Sequence, residues 1–133
     1  MKLTTKSEYS ILTLIYIARN QNGGYVKMDD ICNKYDISKK YLEQIINYLK
    51  QGRLVKTKTG SSGGLKLAEP PEKISVAKVI RLMDGALAPT LAVSKYFFEH
   101  TPFEKEKKVM DFFQEIRDYV SRKVEGQTIA DLV

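Results

Sequence analysis

Apolar residues in the first half of the chain recur at intervals of three and four, the spacing that gives an α-helix one apolar face. This pattern predicts a first helix that begins among the capping residues 4–7 and ends before the glycine pair at 23–24. A second helix is predicted from Met28 or Asp29, and a third over 39–51 with Ser38 as its cap. The apolar face of the third helix is Tyr41, Leu42, Ile45, Ile46 and Leu49.

After Gly52 the pattern changes to alternation, which is typical of β-strands. Residues 54–59 and 65–67 alternate on either side of the turn at 60–64, and this predicts a hairpin. A fourth helix is expected from Ser75 to about 84, and a long fifth helix over about 104–125. The fifth helix has an apolar stripe of Val109, Phe112, Phe113, Ile116, Tyr119, Val120 and Val124.

Three helices followed by a two-stranded hairpin are typical of a winged helix-turn-helix domain, so the expected fold class is mainly α. We expect a DNA-binding domain at 1–84, a connecting segment at 85–103, and a dimerisation helix with a C-terminal turn at 104–133. In such a domain the second helix of the pair, here 39–51, lies in the major groove. Its outward face is Lys39, Lys40, Glu43, Gln44, Asn47 and Lys50, and the predicted wing adds Lys56, Lys58, Ser61 and Ser62.

These side chains have the chemistry of a DNA interface. Lysines pair with phosphates, amides such as Gln44 and Asn47 hydrogen-bond base edges, and a carboxylate such as Glu43 accepts from a cytosine amino group. The alternative is an ordinary solvated helix face. The charge favours the first interpretation: the 133 residues have a net charge of +6, and residues 1–68 hold 12 Lys and Arg against 5 Asp and Glu. Residues 69–133 hold 10 Lys and Arg against 11 Asp and Glu, so the excess of positive charge lies in the first half of the chain. This excess either faces a polyanion or only keeps the protein in solution.

The fifth helix also has a broad apolar stripe. A helix of about 22 residues is about 33 Å long, and a small domain offers too little surface to cover it. A second copy would cover it and present two recognition helices to two half-sites. The alternative is that the stripe packs only on its own domain.

Other chemistries have little support. A single cysteine, Cys32, excludes an internal disulfide and a multi-cysteine metal site, and is expected to be a small buried apolar residue. The single histidine, His100, is expected at the surface, so we expect no metal site and no catalytic group. No apolar run reaches the ~20 residues of a membrane helix, and the first six residues lack a signal-peptide layout, so a cytoplasmic protein is expected.

The residues also resemble a known family. Met1-Lys2-Leu3-Thr4-Thr5-Lys6, then Tyr41-Leu42-Glu43-Gln44, the glycines at 60, 63 and 64, and the closing Thr128-Ile129-Ala130-Asp131-Leu132 are similar to the Rrf-two family of bacterial regulators. The resemblance implies a dimeric winged-helix transcription factor that binds a near-palindromic operator. It matches Ser38, Tyr41, Glu43 and Gln44 to recognition-helix positions, Thr4 and Lys6 to phosphate contacts, and Gly60, Ser61, Ser62 and Gly63 to the wing tip.

Two departures from the family matter. Many members have three cysteines before the dimerisation helix, whereas residues 86–108 have none, so we expect no iron–sulfur cluster and a likeness to the cluster-free CymR type. Thr59 and Leu65 stand where relatives often have an arginine and an aromatic residue.

The sequence therefore predicts a homodimeric, sequence-specific DNA-binding regulator, with repression as the expected mode. The alternative is a winged-helix interaction module whose DNA binding is weak or depends on a partner protein or small-molecule effector. Because the family senses signals between the fourth helix and the dimerisation helix, a candidate effector site is Tyr96, Phe97, Phe98 and Phe103, with ordinary core packing as the alternative.

Overall fold

The computed structural model describes all residues from 1 to 133. Five α-helices and one two-stranded antiparallel sheet follow each other in the order of a winged helix-turn-helix, which confirms the predicted fold class. The elements are α1 (Thr5–Asn20), α2 (Met28–Tyr35), α3 (Lys39–Gln51), β1 (Val55–Lys58), β2 (Gly64–Leu67), α4 (Val76–Asp84) and α5 (Lys107–Glu125). None of these helices is both long enough and apolar enough to span a lipid bilayer.

Side-chain caps fix where three of the helices begin. The hydroxyls of Thr4, Ser38 and Ser75 accept hydrogen bonds from the backbone N–H three residues later, which satisfies a donor that the helix itself leaves free. Asp36 ends α2 in the left-handed conformation, with φ of 54°, and so turns the chain from α2 into α3.

The wing, β1 with β2 and the turn between them, is fixed by two glycines. Val55 pairs with Leu67 and Lys58 with Gly64, and Val26 adds a bridge to Leu65 from the far side. Gly64 has φ of 146°, and a Cβ there would overlap the Val26 carbonyl oxygen. Because a Cβ at Gly63 would overlap the Lys58 carbonyl oxygen, both positions require glycine for the packing of the wing itself.

The main core lies between α1, α2, α3, α4 and the wing, where Leu14, Leu42 and Leu49 are fully buried. Ile129, far along the chain, is fully buried in the same core. It is held there by two backbone hydrogen bonds, from Ile129 N to the Ile74 carbonyl (2.9 Å) and from Val76 N to the Gln127 carbonyl (2.8 Å). The chain after α5 therefore closes back onto the start of α4.

The fifth helix begins three residues later than the periodicity predicts. Residues Pro102–Lys105 form a separate 3₁₀ turn, because Thr101 accepts from Phe103 N and the Glu104 carboxylate accepts from Thr101 N. Glu106 is extended, with φ of −121°, and breaks the two helical segments apart. The helix proper has 19 residues, a length of about 28 Å.

Candidate nucleic-acid interface

Helix α3 separates its two faces cleanly. Leu42, Ile45, Ile46 and Leu49 are buried, while the predicted contact residues Lys39, Lys40, Glu43, Gln44 and Asn47 are all exposed. Two further predicted residues hold the start of the helix in place. Ser38 is exposed, and its hydroxyl caps the helix. Tyr41 is half-buried and packs edge-on against Tyr9, with 5.5 Å between the ring centroids. An exposed polar face on a rigidly capped helix is the geometry that base reading requires.

Tyr48 is an exposed residue of this surface that the sequence patterns did not single out. It lies one turn after Gln44 on α3, and the Lys6 Nζ is 4.5 Å from the centroid of its ring. This cation–π contact places the start of α1 beside the exposed face of α3. The four-residue spacing between Gln44 and Tyr48 puts both side chains on one face of the helix, and Tyr48 could have been predicted as part of this surface from that spacing.

The wing tip is held by a lysine that directly precedes α2 and that no sequence pattern identified. The Lys27 Nζ donates to the carbonyl oxygens of Ser61 (2.6 Å) and Gly63 (2.7 Å). These contacts span more than thirty residues of sequence, so local patterns give no sign of them. Of the predicted wing residues, Lys56, Lys58, Gly60, Ser61 and Ser62 are exposed and Gly63 is buried.

Asp84, at the end of α4, binds the start of α1. Its carboxylate accepts from Thr4 N (3.1 Å), the Thr4 hydroxyl and the Ser7 hydroxyl (2.7 Å). Partial desolvation alone would raise the pKa of Asp84, but these hydrogen bonds from Thr4 and Ser7 and the charge of Lys6 outweigh it and lower the pKa. Thr4 is exposed, yet its backbone N–H and its hydroxyl both face this carboxylate, so Lys6 is the freer of the two predicted phosphate contacts.

The predicted dimerisation stripe is only partly covered by its own chain. Phe112 is 56% exposed and Tyr119 63%, while Val109, Phe113, Ile116 and Val120 are half-buried. Phe113 stacks on Phe103 with 5.4 Å between ring centroids. A row of exposed and half-exposed apolar side chains thus runs along α5.

The four aromatic residues of the candidate effector site do not share one pocket. Tyr96 and Phe97 line a recess with Arg81 and Arg117, Phe97 and Phe98 line a second with Asp84, and Phe103 packs on α5. All four are exposed.

The potential metal donors are dispersed. Cys32 is half-buried on α2, and desolvation, followed by the charge of Asp29, raises the pKa of its thiol, so the thiol stays protonated. His100 Nδ1 lies 3.0 Å from a carboxylate oxygen of Glu104 at the surface. No three His, Cys, Asp or Glu side chains come together in an arrangement that could hold a metal ion.

Comparisons with known proteins agree with this geometry. Residues 3–133 match the model of the Rrf2 (Rrf-two) family, described as "Iron-dependent Transcriptional regulator". The HTH-type transcriptional regulator CymR of Bacillus subtilis is 27% identical over 132 residues, which are 99% of this chain and 89% of that protein.

Solved structures give the same result. The structure of CymR, titled the global cysteine regulator of B. subtilis, superposes with a TM-score of 0.80 at 27% identity and covers 99% of this chain and 95% of that one. The IscR structure of T. potens gives a TM-score of 0.75 at 25% identity and covers 99% and 85%. With a family match along nearly the whole chain and the winged-helix geometry in place, the chain belongs to the Rrf2 family of transcriptional regulators.

Proposed function

We propose that this protein is a homodimeric, sequence-specific DNA-binding regulator that acts as a repressor. The observation that carries the proposal is the exposed polar face of α3 opposite an apolar face on which Leu42, Ile45, Ile46 and Leu49 are buried. Lys39 and Lys40 would pair with phosphates, while Gln44 and Asn47 would read base edges in the major groove. Residues 1–84 would be the DNA-binding domain, 85–103 the connecting segment and 104–133 the dimerisation region.

The wing and the start of α1 would extend the contact along the backbone. Lys56 and Lys58 are exposed on β1, and Lys6 lies over Tyr48 beside the recognition face. Lysines in these places supply affinity that does not depend on sequence.

Homodimerisation would take place through α5. The exposed rings of Phe112 and Tyr119 leave apolar surface in contact with water in a single chain, and a second copy of the helix would remove it. A two-fold pair of α3 helices reads two half-sites in inverted orientation, which is why a near-palindromic operator is expected.

The donors of this chain do not fit a thiolate-ligated iron–sulfur cluster. Such clusters need several cysteine thiolates, and the only cysteine lies half-buried on α2 with a raised pKa, away from residues 86–108. We therefore propose a regulator without a cluster, whose signal reaches residues 85–103 as a small molecule or a partner protein.

A second candidate function is an interaction module whose DNA binding depends on a partner protein. The exposed aromatic side chains of Tyr96, Phe97, Phe98 and Phe103 favour it, because exposed aromatic clusters are typical of protein interfaces.

One experiment separates the two functions. The purified full chain is mixed with a library of genomic fragments at moderate salt, and bound fragments are sequenced. Enrichment of a near-palindrome supports the regulator, and a reporter fused to that site should be repressed by the intact protein. If no motif is enriched, the proposal of sequence-specific DNA binding is contradicted. If the reporter is activated, the proposal of repression is contradicted.

Glu43 is the residue expected to discriminate between bases. Because a carboxylate near DNA is repelled by phosphate unless it accepts from a cytosine amino group, Glu43→Ala should relax base preference at one position per half-site by about 1–3 kcal/mol. Binding to unrelated DNA should stay nearly unchanged. Titration of the operator and of single-base variants measures both quantities, with Glu72→Ala, exposed and outside α3, as the control. An equal loss of affinity on all sequences would refute this role for Glu43.

A further inference from the structure

A small recess between α4, the connecting segment and α5 is lined by an unusual number of cations. Arg81 comes from α4, Lys95 from the segment and Arg117 from α5, and Ser94 and Ser121 complete its polar wall. Both serines are buried, and the arginine side chains are only 26% and 19% exposed. Three separate parts of the chain therefore bring positive charge to one recess, the two arginines from half-buried positions and Lys95 from an exposed one.

The acids nearby do not balance these cations. Arg81 is bonded to Glu125, and Arg117 donates to Asp118 (2.8 Å) and to the Val93 carbonyl oxygen (2.8 Å). Hydrogen bonds from these arginines, with the charge of Lys95, lower the pKa of both carboxyl groups, so both are ionised at neutral pH. Two carboxylates then face three cations, and Lys95 has no ion-pair partner of its own.

The arginines also keep free hydrogen-bonding capacity. A guanidinium has five N–H donors, and Arg81 uses one of them on Glu125 while its face lies 5.0 Å from the Tyr96 ring centroid. Carboxylates and small oxyanions are the groups that satisfy such donors best, because they accept two parallel hydrogen bonds.

The space limits what can enter. The recess has a free volume of only about 10 Å³, at the lower limit of the space that one water molecule needs. One oxygen atom of an anionic head group can therefore enter, while the rest of the ligand stays at the mouth of the recess, over Phe97 and Tyr96, which are exposed.

We propose that this recess binds a compact oxyanion, a carboxylate or an inorganic oxyanion, between Arg81, Lys95 and Arg117. A role of this anion as the effector rests on the proposed function as a regulator. Because α4 also carries Asp84, which is bonded to the start of α1, an anion that moves Arg81 would act on the helix next to the DNA contacts.

The test is a site-resolved titration without DNA. The ¹⁵N-labelled full chain is titrated with sodium sulfate, sodium acetate or sodium butyrate at constant ionic strength set with sodium chloride, and backbone amide shifts are followed. We expect saturable shifts at 94–97 and 117–121. Saturation by sulfate assigns an inorganic ligand, and tighter binding of butyrate than of acetate assigns an organic acid; saturation by none of the three overturns the proposal.

Variants separate this site from general charge effects. Arg81→Gln should weaken binding about tenfold or more, since it removes a charged hydrogen-bond donor. Because that change also breaks the bond to Glu125, Lys95→Gln, at an exposed position, provides a second test and should weaken binding in the same direction. Lys123→Gln, exposed on α5 away from the recess, is the matched control. Equal binding by all variants, or equal weakening in the control, overturns the site.

The effector role has its own readout. At constant ionic strength, saturation of the recess should change the DNA affinity of the wild-type chain and not that of Lys95→Gln. Because the titration contains no DNA, failure to bind anions leaves the DNA-binding proposal intact, and failure to bind DNA leaves the anion site intact.

Discussion

At the scale of single residues, Asp84 has the most consequential set of contacts. One carboxylate joins the end of α4 to the first turn of α1 through Thr4 and Ser7. Its pKa is lowered in the folded chain, so it stabilises the fold at pH values above its ordinary pKa, and this stabilisation is lost as the pH falls through the folded value.

We therefore predict that Asp84→Asn lowers the free energy of unfolding at pH 7 by about 1 kcal/mol, after allowance for partial solvent screening. The difference from wild type should begin to shrink below about pH 4, where Asp84 of the unfolded chain takes up a proton, and should be lost as the pH falls through the lower pKa of the folded chain. Urea unfolding at pH 7 and pH 3, with Glu72→Gln as an exposed control, measures this. A difference of the same size at both pH values would contradict the assignment.

Lys27 is the second residue that holds together parts of the chain far apart in sequence. Its ammonium group holds the carbonyl oxygens of Ser61 and Gly63, and so fixes the turn that would meet DNA. We predict that Lys27→Met, which keeps most of the unbranched side chain but removes its ammonium group, raises amide hydrogen exchange at 60–64 and weakens operator binding several-fold. Lys34→Met, exposed on α2, is the control. Unchanged exchange at the wing tip would rule out this role of Lys27.

At the scale of elements, α5 decides the oligomeric state that we propose. Phe112→Glu with Tyr119→Glu would place two carboxylates in the interface, and each lost aromatic anchor of this kind costs about 2 kcal/mol or more. We predict a monomer at micromolar concentration by sedimentation, with a fold unchanged by circular dichroism and a large loss of operator affinity. Lys73→Glu adds a carboxylate at an exposed position outside α5 and should leave the dimer intact. A double variant that is still dimeric would show that another surface joins the copies.

Periodicity predicts those elements that are fixed by local contacts. The bounds of α3 follow from its apolar spacing and the Ser38 cap, and the hairpin follows from alternation around glycines. The start of α5 was predicted at 104, because helical spacing does not distinguish a 3₁₀ turn closed by Thr101 and Glu104 from a first helical turn. Lys27 and Asp84 could not be predicted, since their partners lie far away in the sequence.

At the scale of the whole molecule, charge is distributed unevenly between the two halves. Since each neutralised phosphate contributes about −0.9 to the slope of log K against log salt, Lys56→Gln with Lys58→Gln should make that slope shallower by about 1.8 per half-site. Lys105→Gln with Lys108→Gln removes the same charge from exposed positions near α5 and should leave the slope unchanged. Binding isotherms at four salt concentrations measure both slopes. Equal changes in the two variants would show that Lys56 and Lys58 do not contact DNA phosphates.

The burial of Ile129 has a consequence for how the protein is made. The core beneath the recognition helix lacks one of its fully buried side chains until residue 129 has left the ribosome, because α1 to α4 leave that place unfilled. Domains that form early during synthesis are those whose cores lie within a continuous early stretch of chain. A nascent polypeptide that ends before α5 would therefore hold an incomplete core, so that a truncated translation product would compete poorly for the operator.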